Sequence, residues 1–326
     1  MKNQNILICS AGRRVSLVRF FKEEAKTLTD GQSKVFTTDL SPNMSSACLV
    51  SDEGFKVGRF SSDGYMPQLL ELCLENNIKL VVPTIDSELQ LLSAHRSSFL
   101  EYGIELMVSD QDFVNICRDK RKTNQLFQEK DIKIPADIDR NNLSFPLFIK
   151  PIDGSNSKNI YLIESAKMLS PYLMEREDLM FMEYLPKDKY TEYTVDMYYN
   201  REGHLCCAVP RIRIEVRGGE VNKSITRKND LLPFLVERFK VLSGVRGCIT
   251  LQCFLNNEDN SIVYGIEINP RFGGGYPLSY WAGANYPNLL IREYLLGESI
   301  KYYESWAADT MMLRYDEDYI VKDAIY

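Results

Sequence analysis

Histidine occurs only twice in this 326-residue chain, as His95 and His204, so a histidine-rich metal centre is excluded by count. The eight cysteines are scattered and include no C-x-x-C pair, which argues against a zinc ribbon or a disulfide scaffold. Cys206 and Cys207 are adjacent and, on a strand, would point to opposite faces, so both read as packing residues. No uninterrupted apolar run is long enough to span a bilayer, and residues 1–10 lack the apolar segment and cleavage pattern of a secretory signal. The expected location is the cytoplasm, with no membrane partner. Lysine and arginine number 39 against 45 acidic residues, a formal net charge of -6, so no positive field points to a nucleic acid. Two phosphate motifs are also missing. The turn Ser10-Ala11-Gly12-Arg13-Arg14 lacks the full G-x-G-x-x-G spacing, which weakens a dinucleotide reading, and G-x-x-x-x-G-K-[ST] occurs nowhere. What remains is 44% hydrophobic and 26% charged, the make-up of a folded protein large enough for several subdomains.

The apolar run 6–9 leads through that turn into Val15, Leu17, Val18, Phe20 and Phe21, spaced as one face of a helix. Apolar runs at 34–38, 79–82 and 104–108, with a helical stretch at 65–76, repeat the alternation. They predict a parallel sheet covered by helices over the first 110 residues or so. Residues 110–129 read as mainly helical, and Ile134-Pro135 ends that organisation. The pattern then changes. Runs at 148–151 and 160–163 bracket the polar stretch Asp153-Gly154-Ser155-Asn156-Ser157-Lys158, and residues 165–175 suit a helix. Further runs at 179–184, 193–199, 205–209, 211–216, 248–255 and 262–269 predict a largely antiparallel sheet, with a helix over 230–243 on one face. The chain therefore reads as α/β followed by α+β, dividing near residue 112. Tyr280 and Trp281 are expected to complete a core rather than to stack on a base.

The most informative segment is Ile266-Glu267-Ile268-Asn269-Pro270-Arg271, followed by Phe272-Gly273-Gly274-Gly275. Alternation puts Glu267 and Asn269 on one face, where a carboxylate and an amide oxygen can both face Mg²⁺, and Arg271 can then reach phosphate oxygens. Taken alone, the segment could equally be a polar strand end with a glycine turn. Gln252 adds a neutral oxygen near Glu267 if strands 248–255 and 262–269 pair antiparallel. Lys150 ends an apolar segment just before the polar loop. It can neutralise a triphosphate while loop N–H groups, that of Ser155 among them, cover it; a solvated lysine is the plainer alternative. Arg13, at a helix start, could bind an anionic substrate or face solvent. Asp86 follows the strand 80–82 and could orient an amine, or with Glu88 could favour the next helix N-terminus.

In this order the segments resemble the ATP-grasp superfamily over almost the whole chain, most of all proteins related to the large subunit of carbamoyl phosphate synthetase and to carboxylate-amine ligases. The resemblance implies an ATP-grasp fold with an N-terminal preATP-like domain of Rossmann type. Residues 1–112 would be that domain and 113–326 the ATP-grasp domain, with 113–190 including the small lid subdomain and 191–326 the larger nucleotide- and metal-binding part. The family's two strand lysines or arginines are matched by Lys120 and Lys150, and its adenine hinge by Phe181-Met182-Glu183-Tyr184-Leu185, with main-chain groups around Glu183 and Leu185 reading the base. Its ribose-binding carboxylate is matched by Glu192, its magnesium set by Gln252, Glu267 and Asn269, and its phosphate-stabilising arginine by Arg271. Arg211 and Arg213 on one strand face, with Arg217 beyond them, are then expected near the γ-phosphate or an acyl phosphate, against the plainer reading of a solvated face. The implied activity is an ADP-forming ligation through an acyl phosphate, with Lys150, Arg217 and Arg271 catalytic. ATP and Mg²⁺ are the implied cofactors, with Mn²⁺ as an alternative ion. A small carboxylate and an amine or related nucleophile are the implied partners, and a homodimer is left open. One departure matters. The family's phosphate-covering loop carries several glycines, whereas 153–159 has only Gly154, which keeps a Mg-ATP-binding regulatory module with little turnover as the alternative.

Overall fold

The computed structural model describes residues 4–153 and 159–322. β1 (Asn5–Ile8), β2 (Val35–Asp39), β3 (Glu53–Lys56), β4 (Ile78–Val82) and β5 (Glu105–Leu106) form a parallel sheet in the order β3-β2-β1-β4-β5. Every residue of β1 is buried, as a central strand requires when helices cover both faces. The strand order reverses about β1, so the loops after β1 and β4 leave the sheet side by side and a crevice opens between them. Thr84 joins the two loops, its hydroxyl lying 3.0 and 2.9 Å from the carbonyl oxygens of Cys9 and Ser10.

Residues 110–129 form two helices, Gln111–Arg118 and Lys120–Glu129, rather than one stretch. Asp119 between them is extended, and its carboxylate accepts the Arg121 N–H at 2.9 Å, a cap that starts the second helix afresh. Lys120, matched above to a strand lysine, is therefore the first residue of a helix. Residue 112 falls within the helix Gln111–Arg118.

The remaining sheets are antiparallel. β6 (Leu147–Pro151), β7 (Tyr161–Ile163) and β8 (Leu179–Glu183) make a small sheet in the order β7-β6-β8. β9 (Tyr190–Tyr199), β10 (Leu205–Arg217), β11 (Glu220–Thr226), β12 (Gly247–Asn256), β13 (Val263–Asn269) and β14 (Met311–Leu313) make a larger one in the order β13-β12-β9-β10-β11-β14. The runs expected at 205–209 and 211–216 are one strand. Pro210 lies opposite Val195 of β9, where pairing with β11 has not yet begun, so its missing N–H breaks no ladder on that side. The helix expected over 230–243 spans Leu231–Arg238, and that over 165–175 shortens to a 3-10 turn, Ala166–Met168, and the short helix Pro171–Glu175.

One buried cluster crosses from the parallel sheet to the large antiparallel one, taking in Ile6, Val18, Phe113, Phe127, Tyr198 and Leu251. A second fills the other face of the parallel sheet and a third lies under the small sheet. Tyr280 stacks on Phe20 of the helix Val15–Leu28 at 3.7 Å between ring centroids, but Trp281, expected in a core, is 73% exposed. All eight cysteines are free. Among the described residues no helix is long and apolar enough to cross a membrane.

Candidate active site

The β12–β13 register sets Gln252 opposite Glu267 and Thr250 opposite Asn269, so the side chains of Gln252, Glu267 and Asn269 share one face of the hairpin. Asn269 donates its amide to Glu267 Oε1 at 3.0 Å, which fixes the amide with its oxygen turned away from the carboxylate. Arg271, just past Pro270, donates to Asp86 Oδ2 at 2.6 Å and lies 3.5 Å from Asn269 Oδ1. Asp86 begins the helix Asp86–Leu100 in the parallel-sheet region, so this pair joins the two halves of the chain at the site. Next along the sheet, β9 and β10 add Glu192, ion-paired with Arg213 at 2.8 Å, and Arg211, which grips the fully buried Asp196 through two hydrogen bonds of 2.8 and 3.1 Å.

The small sheet forms the opposite wall. Lys150 on β6 is only 6% exposed, and burial pushes its pKa down to about 8, an effect that Glu267 opposes and Lys120 adds to. Lys120 is also desolvated and lowered, again with Glu267 as the leading opposing charge. Its main-chain N–H donates to Ile152 O at 3.2 Å, which ties the start of its helix to the end of β6. At the end of β8 the Glu183 N–H is already taken by Ala136 O at 2.8 Å, whereas Leu185 donates its N–H to nothing among the described residues. The expected hinge therefore offers its donor at Leu185.

These walls enclose a cavity of about 560 Å³, in the range of nucleotide-sized pockets. Lys120, Lys150, Glu183, Leu185, Glu192, Arg211, Gln252, Glu267, Asn269 and Arg271 all line it. Three expected residues are not brought to it. Arg217 is exposed and pairs with Asp316 at 2.7 Å: the β10–β11 register shifts between Arg213 and Val216, and beyond the shift it is Val216 that lines the cavity. Arg13 is exposed, and its neighbour Arg14 takes the place at the cavity, donating to Thr84 O at 3.3 Å. Asp86 reaches the cavity only through Arg271. Ser155 lies outside the described residues, with most of the glycine-poor loop. Sequence reasoning missed Arg14, Asp196 and Glu220, which lines the cavity mouth. Asp196 was within reach, since it shares the even-numbered face of β9 with Glu192. No local signal separated Arg14 from Arg13.

Two buried donors at the cavity lack a partner: Arg211 Nη1 and Arg271 Nε. Buried N–H groups of this kind call for an acceptor. With two desolvated lysines they fit a polyanion, and the oxygens of Gln252, Glu267 and Asn269 fit a hard cation. Only Glu267 among these three is charged, and no group of three His, Cys, Asp or Glu residues suited to a metal occurs among the described residues. Such a site suits an ion that shares its ligands with phosphates.

Residues 6–107 match the family described as the PylC-like N-terminal domain, and residues 175–315 the family described as ATP-grasp in the biosynthetic pathway with Ter operon. No curated protein matches the sequence. Among solved structures, the fold is similar to the biotin carboxylase domain of 2-oxoglutarate carboxylase from Hydrogenobacter thermophilus, in complex with MgADP, ADP and bicarbonate. That likeness has a TM-score of 0.71 at 14% identity and covers 95% of this chain and 74% of that one. N5-carboxyaminoimidazole synthetase from Staphylococcus aureus, complexed with ADP, gives a TM-score of 0.68 at 16% identity over 93% of this chain and 80% of that one. L-amino acid ligase from Bacillus licheniformis gives 0.67 at 16% identity over 90% and 75%. At such identities the likeness is one of fold.

Proposed function

We propose that this chain, which belongs to the ATP-grasp superfamily, is an ADP-forming ligase that activates a small carboxylate as an acyl phosphate for capture by an amine. The observation that carries the reading is the convergence on one cavity of Lys120 and Lys150 from one wall and Gln252, Glu267, Asn269 and Arg271 from the other. Residues 1–112 would supply acid-binding surface, 113–190 would include the lid, and 191–326 would carry the metal donors. Bound Mg²⁺ would neutralise the triphosphate; Gln252, Glu267 and Asn269 are the residues that would hold it.

Leu185 would read the adenine edge through its N–H, and Glu192, held by Arg213, would accept from the ribose hydroxyls. Lys120 and Lys150 would hold the phosphates. A carboxylate oxygen of the acid attacks the γ-phosphorus, the bond to the β-γ bridging oxygen breaks, and ADP leaves with the electron pair. Arg271 and Arg211 stabilise the charge on the transferred group. The amine nitrogen then attacks the acyl carbon, phosphate leaves and the nitrogen loses its proton. A lid that excludes water would protect the acyl phosphate in the interval.

The test is nucleotide analysis of turnover across a panel of acids and amines, with hydroxylamine to trap the acyl phosphate. ADP, phosphate and hydroxamate are expected. Release of AMP and pyrophosphate without ADP would rule the mechanism out.

A further inference from the structure

The charges around the cavity fall into two groups. At one end Lys150 and Lys120 face Glu267. At the other, Arg14 lies among Arg271, Arg314, Glu220 and Asp86. In this second group each carboxylate already has its own arginine: Asp86 is bonded to Arg271 at 2.6 Å, and Glu220 to Arg314 at 2.8 Å. Three guanidinium groups thus face two carboxylates, and Arg14 is the one left over. Among the described residues it makes no ion pair within 4 Å, and its guanidinium donates to a neutral carbonyl, Thr84 O at 3.3 Å.

Arg14 is nevertheless half-buried, and burial together with Arg271 pulls its pKa down to about 10. A desolvated guanidinium without a counter-ion is unfavourable unless a ligand brings the charge. The geometry also leaves room for one. A Cβ on Gly274 would sit 3.5 Å from Arg14 Nη1 and 3.4 Å from the Glu220 carboxyl carbon, and one on Gly275 would collide with Arg211 Nη1 at 2.4 Å. Without side chains at these two positions the guanidinium of Arg14 and the partnerless, fully buried Nη1 of Arg211 both reach the bare backbone of one loop.

We infer that the acid activated here carries a second anionic group, a carboxylate or a phosphate, which Arg14 binds while the reacting carboxylate lies toward Arg271 and Lys150. The inference rests on the ligase reading above and narrows it. A reacting carboxylate at Arg271 stands beside the lysine end of the cavity, where the nucleotide's own charges are matched. It leaves Arg14, on the crevice side, still without an anion. Arg14 is then a specificity-determining residue supplied by the first turn of the parallel sheet.

The test is calorimetric titration of the full-length protein, saturated with Mg²⁺ and a non-hydrolysable ATP analogue. One set of acids is succinate, glutarate, L-aspartate and L-glutamate; a second is O-phospho-L-serine and 3-phosphoglycerate. The monoanionic controls are butyrate, L-alanine and L-serine. At least one dianion should bind tenfold or more tightly than its monoanionic counterpart. Arg14→Gln should abolish that advantage and Arg14→Lys should recover part of it, with affinity for the Mg-nucleotide unchanged in both. The set that responds tells carboxylate from phosphate. Equal binding of mono- and dianions, a dianion preference that survives in Arg14→Gln, or no binding by any dianion to nucleotide-loaded protein would each overturn the inference while leaving the ligase reading in place. Failure of the wild type to bind the Mg-nucleotide would overturn both.

Discussion

Lys150 is held as an ammonium where water is scarce, and its pKa of about 8 lies well below the ordinary 10.5. Folding lowers this pKa, so between these two values the unfolded chain binds more protons than the native one. Native stability therefore rises as pH climbs through the window, and the full penalty of the buried charge is present below it. That penalty is on the order of 3 kcal/mol. Lys150→Met should accordingly raise Tm at neutral pH, lose that advantage as pH rises past the window, and abolish ATP-dependent turnover. Differential scanning calorimetry at the two pH values checks the first two points, and a lower Tm for the variant at neutral pH would count against a charged, buried Lys150. A triphosphate beside the lysine restores its proton. Mg-ATP binding near pH 8 should therefore take up protons, measurable by titration in buffers of different ionisation enthalpy; no uptake would place the phosphates elsewhere. Glu267 faces both lysines and bonds Asn269, so Glu267→Gln keeps the shape and removes the charge. Turnover should fall at least ~100-fold with the circular dichroism spectrum unchanged. Activity within a factor of two of wild type would remove Glu267 from the metal site.

The helix Lys120–Glu129 lies against β13 because Gly265 has no side chain. A Cβ there would meet the Phe127 ring at 2.4 to 2.6 Å, so the ring sits directly on the strand backbone. Gly265→Ala must push the helix outward, and Lys120 at its first residue moves with it. Overpacking of this kind costs about 1–3 kcal/mol. The expected result is a lower denaturation midpoint together with a raised KM for ATP. A variant that loses stability with KM unchanged would show that Lys120 does not depend on the seating of this helix.

Across the whole molecule, Glu24 binds the helix Val15–Leu28 to the far end of the chain. Its carboxylate accepts Tyr280 Oη at 3.0 Å, Asn285 Nδ2 at 2.6 Å and Asn288 Nδ2 at 2.8 Å, and the residue is 8% exposed. The buried cluster shared by the parallel and large antiparallel sheets runs beside it. With a common core and a charged clasp, chemical denaturation should show one cooperative transition. Glu24→Ala leaves three donors without their acceptor and should lower stability by about 2 kcal/mol or more. Two resolved transitions in the wild type would contradict this coupling and would fit independent units on either side of residue 112.

Local periodicity was enough for the parts of the site that lie along one strand or one hairpin. Glu267 and Asn269 share a face because side chains alternate, and Gln252 joins them once β12 and β13 pair antiparallel, which the two apolar runs already suggested. The apolar stretches 6–8 of β1 and 80–82 of β4 likewise marked a parallel sheet, since strands covered on both faces are mostly apolar, although β2 buries Thr37 and Thr38 as well. Tertiary structure alone decided what comes from far along the chain. The cap at Asp119 made Lys120 a helix residue, and only the packing of that helix carried it to Glu267. Arg13 and Arg14 are the same residue type at adjacent positions. The direction in which the chain leaves β1 at the sheet's switch point exposes one and turns the other toward Gly274, and no single-residue propensity contains that direction. Arg217 shows the converse: its glycine turn and charge suited an anion site, but the register shift in β10 after Arg213 gives the cavity face to Val216 and turns Arg217 out to Asp316.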